Sequence, residues 1–255
     1  MLSKIELKYY ASLLRKKIRS EEGKFIAEGR RMLEEGLHSS YKCEIVFAST
    51  HFRENNPDFM EEFSDLNLRI ENVTNSDFLK LSDTENPQGI AAAFQMPDVK
   101  DNIGRSDLIV ALENVSDPGN AGTIIRTSDW FGIKEVVLSQ NSVELYNPKV
   151  LRSSMGSVFH LHAFESQDFL ATLNELKSKG YKILCADMEG EDVFGFSSKG
   201  KSVIVLSSEA QGPSEELLAM SDSVLAIPRL GQAESLNVAS ASAVILGEVT
   251  RRRDF

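Results

Sequence analysis

The chain has 255 residues, of which 42% are hydrophobic and 26% charged, and its net charge is −10. These values fit a soluble globular protein of one large or two ordinary domains. No apolar run reaches the length of a bilayer span, which excludes a membrane-embedded class. Two distant cysteines, Cys43 and Cys185, and four scattered histidines exclude a disulfide framework and a Cys/His zinc centre. Both thiols read as free and buried in a reducing cytoplasm. The opening segment MLSKIELKYYASLLRKK spreads charge through itself and lacks the apolar centre of a signal peptide.

The first 31 residues run against the overall charge. Nine Lys or Arg, among them Lys16, Lys17, Arg19 and Arg30, face four Glu, a local balance of +5. Two readings fit, a solvated helix face and a patch that meets phosphate. Apolar residues at helical spacing (Ile5, Tyr9, Leu13, Leu14, Ile18) predict a helix over 5–18, and a second is expected over 26–37. CEIVFAS and GIAAAFQM read as strands, with NSDFLKLSD as a short helix between them. PDVKDNIGRSD (97–107) is polar, holds Pro97 and Gly104, and has no period. It divides the chain into a domain over 1–97, a linker over 98–107, and a domain over 108–255.

The second domain alternates short apolar runs with helical patterns. Strands are expected over 108–113, 135–139, 182–186, 202–207 and 223–228. Helices are expected over 121–131, 147–154, 168–179, 214–220 and 236–252. This alternation predicts an α/β fold with a mostly parallel sheet, whose ligands sit beyond the carboxyl ends of the strands. Three loops there hold unusual residues.

The first loop, ENVSDPGNAGTIIRTSDWFG, combines Asp117-Pro118-Gly119 turn chemistry with Asn120 as a candidate N-cap. Arg126 lies off the apolar stripe of the following helix, one turn beyond Gly122. Backbone N–H groups and one cation could thus meet an anion, or simply cap a surface helix. The spacing fits neither a dinucleotide fingerprint nor a P-loop. The second loop, VIVLSSEAQGPSEEL, ends a strand at Ser207 and carries Glu209 and Gly212. The third, AIPRLGQAESLNVASASAVILGEVTRRR, leads from Ile227 through Ser235, Leu236 and Asn237 into a helix. Ser235 is the expected cap. Ala239, Ser240, Ala243 and Gly247 form a small-residue face, and Arg251–Arg253 end the helix.

Together, in order and spacing, these loops resemble the three motifs of the SpoU (TrmH) family of S-adenosylmethionine-dependent RNA ribose 2′-O-methyltransferases. NPQGIAAAF and NPKVLRSSMGSVFHL match as well, and KKIRSEEGKFIAEGRRML is similar to the substrate-binding domain of the ribosomal-RNA members. The resemblance spans nearly the whole chain. It implies a small N-terminal α/β RNA-binding domain and a C-terminal SPOUT-type parallel-sheet domain threaded into a trefoil knot. It also implies a cytoplasmic homodimer that needs no metal and methylates a 2′-hydroxyl, most naturally of large-subunit ribosomal RNA.

Carried over by motif, Asn120, Arg126, Glu209, Ser235 and Asn237 are the catalytic set. Leu206, Ser207, Glu209, Gly212, Ile227, Ser235 and Leu236 would hold the donor. Lys16, Lys17, Arg19, Arg30 and Arg126 would hold RNA. The second motif departs from the family's G-x-E-G-x-G, because Ser207 and Ala210 stand where glycine is usual. Glycine serves where backbone approaches a ligand or takes positive φ, so the departure bears on donor binding. A non-catalytic RNA-binding pseudo-enzyme and a transfer-RNA methyltransferase are the competing functions. A nicotinamide dehydrogenase lacks its glycine fingerprint.

Overall fold

The structure is a computed structural model that describes residues 2–63, 68–97, 103–197 and 200–252. The chain divides into two compact units, residues 1–98 with 146–159, and residues 99–145 with 160–255.

The first unit is built on a four-stranded sheet of β1 (Lys24–Glu28), β2 (Cys43–Ser49), β3 (Ile70–Val73) and β4 (Ile90–Gln95), in the order β1-β4-β2-β3. β4 pairs antiparallel with β1 and β2, and β3 pairs parallel with β2. Its helices are α1 (Lys4–Ser12), α2 (Lys16–Glu22), α3 (Arg30–Leu37), α4 (Thr50–Asn55), α5 (Pro57–Glu62) and α6 (Asn75–Leu81). The expected helix over 5–18 is therefore two helices. The break is held by Arg19, whose Nη1 donates to the Leu13 carbonyl at 2.9 Å beside a fully buried Leu13. The expected helix over 26–37 begins instead as β1, because Lys24–Glu28 pair antiparallel with β4, which buries Phe25, Ile26 and Ala27 together. Gly29, at φ +106°, separates β1 from α3.

Part of this unit comes from far along the chain. Residues 146–159, expected within the second domain, supply α8 (Pro148–Ser154) and a 3₁₀ turn (Ser157–Phe159) to the first unit. Aromatic packing explains the assignment. Phe25 stacks on Tyr146 with centroids 4.5 Å apart, and Phe159 meets Tyr41 at 5.0 Å and Phe94 at 5.2 Å. The Arg152–Asp83 ion pair adds to it. Phe159→Ala is expected to destabilise this unit by about 3–5 kcal/mol, the usual cost of emptying a buried aromatic site. Urea unfolding followed by tyrosine fluorescence would check it, and a change under 1 kcal/mol would contradict the packing argument.

The second unit holds a six-stranded sheet of β5 (Leu108–Glu113), β6 (Glu135–Leu138), β7 (His162–Glu165), β8 (Lys182–Asp192), β9 (Ser202–Ser207) and β10 (Ser223–Ala226). The order is β10-β8-β9-β5-β6-β7, and every pairing is parallel. Its helices are α7 (Pro118–Trp130), α9 (Phe169–Ser178), α10 (Glu215–Met220) and α11 (Val238–Arg251). The parallel α/β expectation holds. β7 escaped the sequence reading, being four residues long with two of them half-exposed. Residues 98–102 of the expected linker lie outside the described residues. The part from Ile103 is packed rather than free: Ile103 is buried in the core with Leu176 and Tyr181, and the Gly104 and Arg105 amides donate to the Glu135 carboxylate at 3.1 and 3.0 Å.

Cys185 is buried and Cys43 half-buried, and both are free. Burial pushes the Cys43 thiol up to about 11 and the Cys185 thiol up to about 12. Neither has the thiolate character of a nucleophile. No helix among the described residues is long and apolar enough to cross a membrane. Among them, too, no cluster of three or more His, Cys, Asp or Glu could hold a metal.

Candidate functional site

The loops that follow β5, β9 and β10 emerge at one end of the parallel sheet, as the strand order requires. Each is fixed by capping. α7 starts at Pro118, earlier than expected, and its N-cap is Asp117, whose Oδ1 accepts from the Asn120 amide at 2.8 Å. Pro118 occupies the first helical position, where its missing N–H costs nothing. Asn120 is thus inside the first turn with its side chain released from capping. On α11 the roles also differ from expectation. Asn237, not Ser235, is the cap, and its Oδ1 accepts from Ala239 and Ser240 at 3.1 and 3.3 Å. Ser235 is exposed in the preceding loop.

These starts bring together three side chains that are far apart in sequence. Asn237 Nδ2 donates to Glu209 Oε1 at 2.7 Å and to Asn120 Oδ1 at 3.0 Å. Asn120 Nδ2 donates to the same Glu209 oxygen at 3.3 Å, and the Val238 amide at the start of α11 also donates to it. Glu209 is the hub. Its charge faces the N-terminus of a fourteen-residue helix, where the macrodipole favours an anion. The cluster ties all three loops to one point.

Arg126 lies about 9 Å further along α7 than Asn120 by helix rise. It is exposed, and among the described residues it makes no hydrogen bond or ion pair. Trp130, one turn on along the same face, is 84% exposed. Gly122 is buried, and Phe131 packs against α11 where Gly247 leaves room, 3.2 Å from the site of a Cβ. Ser240 and Ala243 remain exposed, Ala239 is buried, and Arg253 lies outside the described residues.

The donor-loop residues divide by burial. Leu206 is buried in β9. Ile227 is half-buried just after β10, and Leu236 is exposed. Gly212 takes φ +66°, and nothing lies nearer than 3.8 Å to where its Cβ would be. Only this position of the second loop needs glycine's freedom, since neither Ser207 nor Ala210 has a positive φ. The Ser207 hydroxyl turns inward to the Glu113 carboxylate, which it meets at 3.0 Å. Ser207 therefore keeps its hydroxyl off the loop's open side, whereas Ala210 is exposed there. An open cleft of ≈330 Å³ lies there, lined by Asn114, Ser116, Asn141, Ser208, Ala210 and Gln211. The polar amides and hydroxyls of this lining fit a polar nucleoside such as S-adenosylmethionine.

The basic N-terminal set is corrected at one position. Arg19 is only 2% exposed and serves the α1–α2 turn, so it offers nothing to RNA. Lys16 and Lys17 are exposed, and among the described residues Lys17 has only a loose 3.8 Å pair with Glu21. Arg30 is exposed but engaged: its guanidinium lies 4.5 Å over the Phe59 ring and Nε donates to Glu34 at 3.0 Å. Glu113, which sequence reasoning passed over as the end of a strand, proves to be a buried acid with three donors aimed at it. Its only sequence signal was a charged residue closing an otherwise apolar run.

Comparison with known proteins identifies the family of both parts of the chain. Residues 107–247 match the model of the SpoU rRNA Methylase family, and residues 4–92 match an MRM3-like substrate binding domain. The chain is 32% identical over 242 residues to the 23S rRNA (guanosine(2553)-2′-O)-methyltransferase RlmP of Bacillus subtilis, covering 94% of each chain. Two solved structures share the fold across both units. The SpoU methyltransferase AviRb of Streptomyces viridochromogenes, in complex with AdoMet, is 25% identical with a TM-score of 0.89, covering 98% of each chain. An AdoMet-bound rRNA methyltransferase from Sinorhizobium meliloti is 25% identical with a TM-score of 0.81, covering 99% of this chain and 97% of that one. The chain belongs to the SpoU rRNA methylase family, with an MRM3-like substrate binding domain ahead of its methylase domain.

Proposed function

We propose that this protein transfers the methyl group of S-adenosylmethionine to a ribose 2′-hydroxyl of large-subunit ribosomal RNA. The observation that carries this reading is the Asn120–Glu209–Asn237 hub, which unites the three loops, with Arg126 on the same helix as Asn120 and unpartnered among the described residues. The donor supplies an electrophilic methyl on a sulfonium, and the remaining work is positioning and charge stabilisation.

Each residue has a task within that scheme. The second and third loops, through Leu206, Ser207, Gly212, Ile227, Ser235 and Leu236, hold the donor mainly by backbone. Glu209 and the two asparagines keep those loops in register. Arg126 grips the phosphate next to the target ribose and stabilises the negative charge that develops at its 2′-oxygen as the hydroxyl proton passes to water. The O–C bond forms as the S–C bond breaks, and S-adenosylhomocysteine leaves as the neutral thioether. A guanidinium is a donor-only group, so it suits that role better than the role of proton acceptor. Ser235, exposed in the stretch before α11, would orient the incoming hydroxyl.

Residues 1–97 bind the RNA, and residues 108–255 carry the chemistry. Lys16 and Lys17, with Arg30 beside Phe59, are the phosphate contacts of the first domain. Reversing Lys16 and Lys17 to glutamate should weaken RNA binding at least about tenfold at low salt and reduce the slope of log K against log salt by roughly 2. Donor affinity should not move. Filter binding across a salt series measures this, and an unchanged slope would remove these lysines from the interface.

The working form is a cytoplasmic homodimer whose C-terminal domain carries a trefoil knot. Exposed Trp130 on α7 and exposed Ser240 and Ala243 on α11 support a second copy there. Sedimentation of a monomer at micromolar concentration would overturn the dimer.

The activity itself is tested by incubating the protein with isotope-labelled S-adenosylmethionine and unmodified total RNA. Label at one ribose of large-subunit RNA is expected. Label in transfer RNA instead would reassign the substrate. Bound donor and RNA without transfer to any RNA would leave a non-catalytic RNA-binding protein.

A further inference from the structure

Glu113 closes β5 and is 5% exposed, yet among the described residues no cation pairs with it. A buried carboxylate without a counter-ion must be held by hydrogen-bond donors. Three are present. Oε2 accepts from Ser207 Oγ at 3.0 Å and from the Ser214 amide at 3.1 Å, and Oε1 accepts from Ser214 Oγ at 2.5 Å. The Glu113 carbonyl also takes the Ser208 amide at 3.1 Å. Ser214 is at the same time the N-cap of α10, its Oγ accepting from Leu217 at 3.2 Å.

The donors flank one segment. Ser207 and Ser208 open the second loop, and Ser214 closes it. Between them lie Glu209, the hub of the site, and Gly212, whose amide folds back to Ser208 at 2.8 Å. We propose that Glu113 is a positioning residue for this reaction: one buried carboxylate pins both ends of the 207–214 loop and thereby presets the donor-binding surface. The hydroxyl of Ser207 is one arm of that pin. A glycine at 207, usual in the motif, could not supply it, so in this chain the departure from glycine adds a fixed point to the loop. The proposal rests on the reading of 207–214 as the donor loop.

The test compares wild-type protein with Glu113→Gln, Ser207→Gly and Ser214→Ala, using S-adenosylmethionine itself as the probe. Calorimetry should show donor affinity about tenfold weaker in Glu113→Gln and less weakened in Ser207→Gly, the usual range for hydrogen bonds to a charged group. The Glu113→Gln/Ser207→Gly double variant should lose less than the sum of the two single losses, because Glu113→Gln weakens the Ser207–Glu113 bond that Ser207→Gly removes. The KM for donor should rise while RNA affinity stays at the wild-type value. In the free proteins, amide exchange should quicken at Ser208, Gly212 and Ser214 and remain unchanged in β5 and β6.

Wild-type donor affinity and loop exchange in a folded Glu113→Gln protein would overturn the proposal. Exchange that quickens equally across the whole second unit would do the same, since it would mark a general loss of stability. Should Glu113→Gln not fold, Ser207→Gly and Ser214→Ala keep the carboxylate, and wild-type loop exchange in both would overturn the proposal. If the wild-type protein binds no donor, the donor-loop reading fails, and exchange at 208–214 still decides whether Glu113 pins the loop.

Discussion

Arg126→Ala should slow methyl transfer about 10²–10³-fold in kcat, the loss seen when one preorganised charge-stabilising donor is removed. Donor affinity should stay at the wild-type value, because Arg126 takes no part in the hydrogen-bonded hub that joins the three loops. An exposed guanidinium without a partner among the described residues keeps its five N–H donors for a ligand. Single-turnover transfer at saturating RNA and donor isolates the chemical step. Arg126→Lys adds a second reading. It retains the charge and loses the planar fork, so partial recovery assigns the effect to charge, and no recovery assigns it to bidentate geometry. Transfer at the wild-type rate in Arg126→Ala would remove this residue from the mechanism.

Glu209→Ala should weaken donor binding tenfold or more, about what losing several charge-assisted bonds implies. The carboxylate accepts from Asn237, from Asn120 and from the Val238 amide at the start of α11. Without it, Asn120 and Asn237 lose their common acceptor, and the N-terminus of α11 loses an anion. Glu209→Gln should recover part of the affinity, since an amide oxygen still accepts but no longer carries charge. Calorimetry with S-adenosylmethionine measures both variants. Wild-type affinity in Glu209→Ala would reduce this residue to a solvated surface acid, which is how a lone exposed glutamate reads in sequence.

Much of the second unit follows from local pattern. Short apolar runs such as Leu108–Leu112 and Val203–Leu206 bury every residue, as a central parallel strand requires. Proline, glycine and asparagine between those runs marked the loops at their carboxyl ends. The first unit was less legible. The spacing of residues 26–28 runs on into α3 and predicts a helix there, and only the pairing with β4 makes them the end of β1. Arg19 looked like a phosphate contact because charge in sequence carries no depth. A turn of chain beneath it, ending at the Leu13 carbonyl, made it internal.

The sequence by itself determined the class of fold, the three loops and the residue types each brings. Those are consequences of period, turn chemistry and helix capping, which act within a few residues. Tertiary structure decided what those residues do. Asn237 lies 28 residues from Glu209 and 117 from Asn120, and Ser207 lies 94 from Glu113. No local preference selects such partners. The parallel sheet selects them, by delivering the ends of β5, β9 and β10 to one edge, where the half-buried Asn120 meets the exposed Glu209 and Asn237 and where the buried Glu113 must find its donors in Ser207 and Ser214.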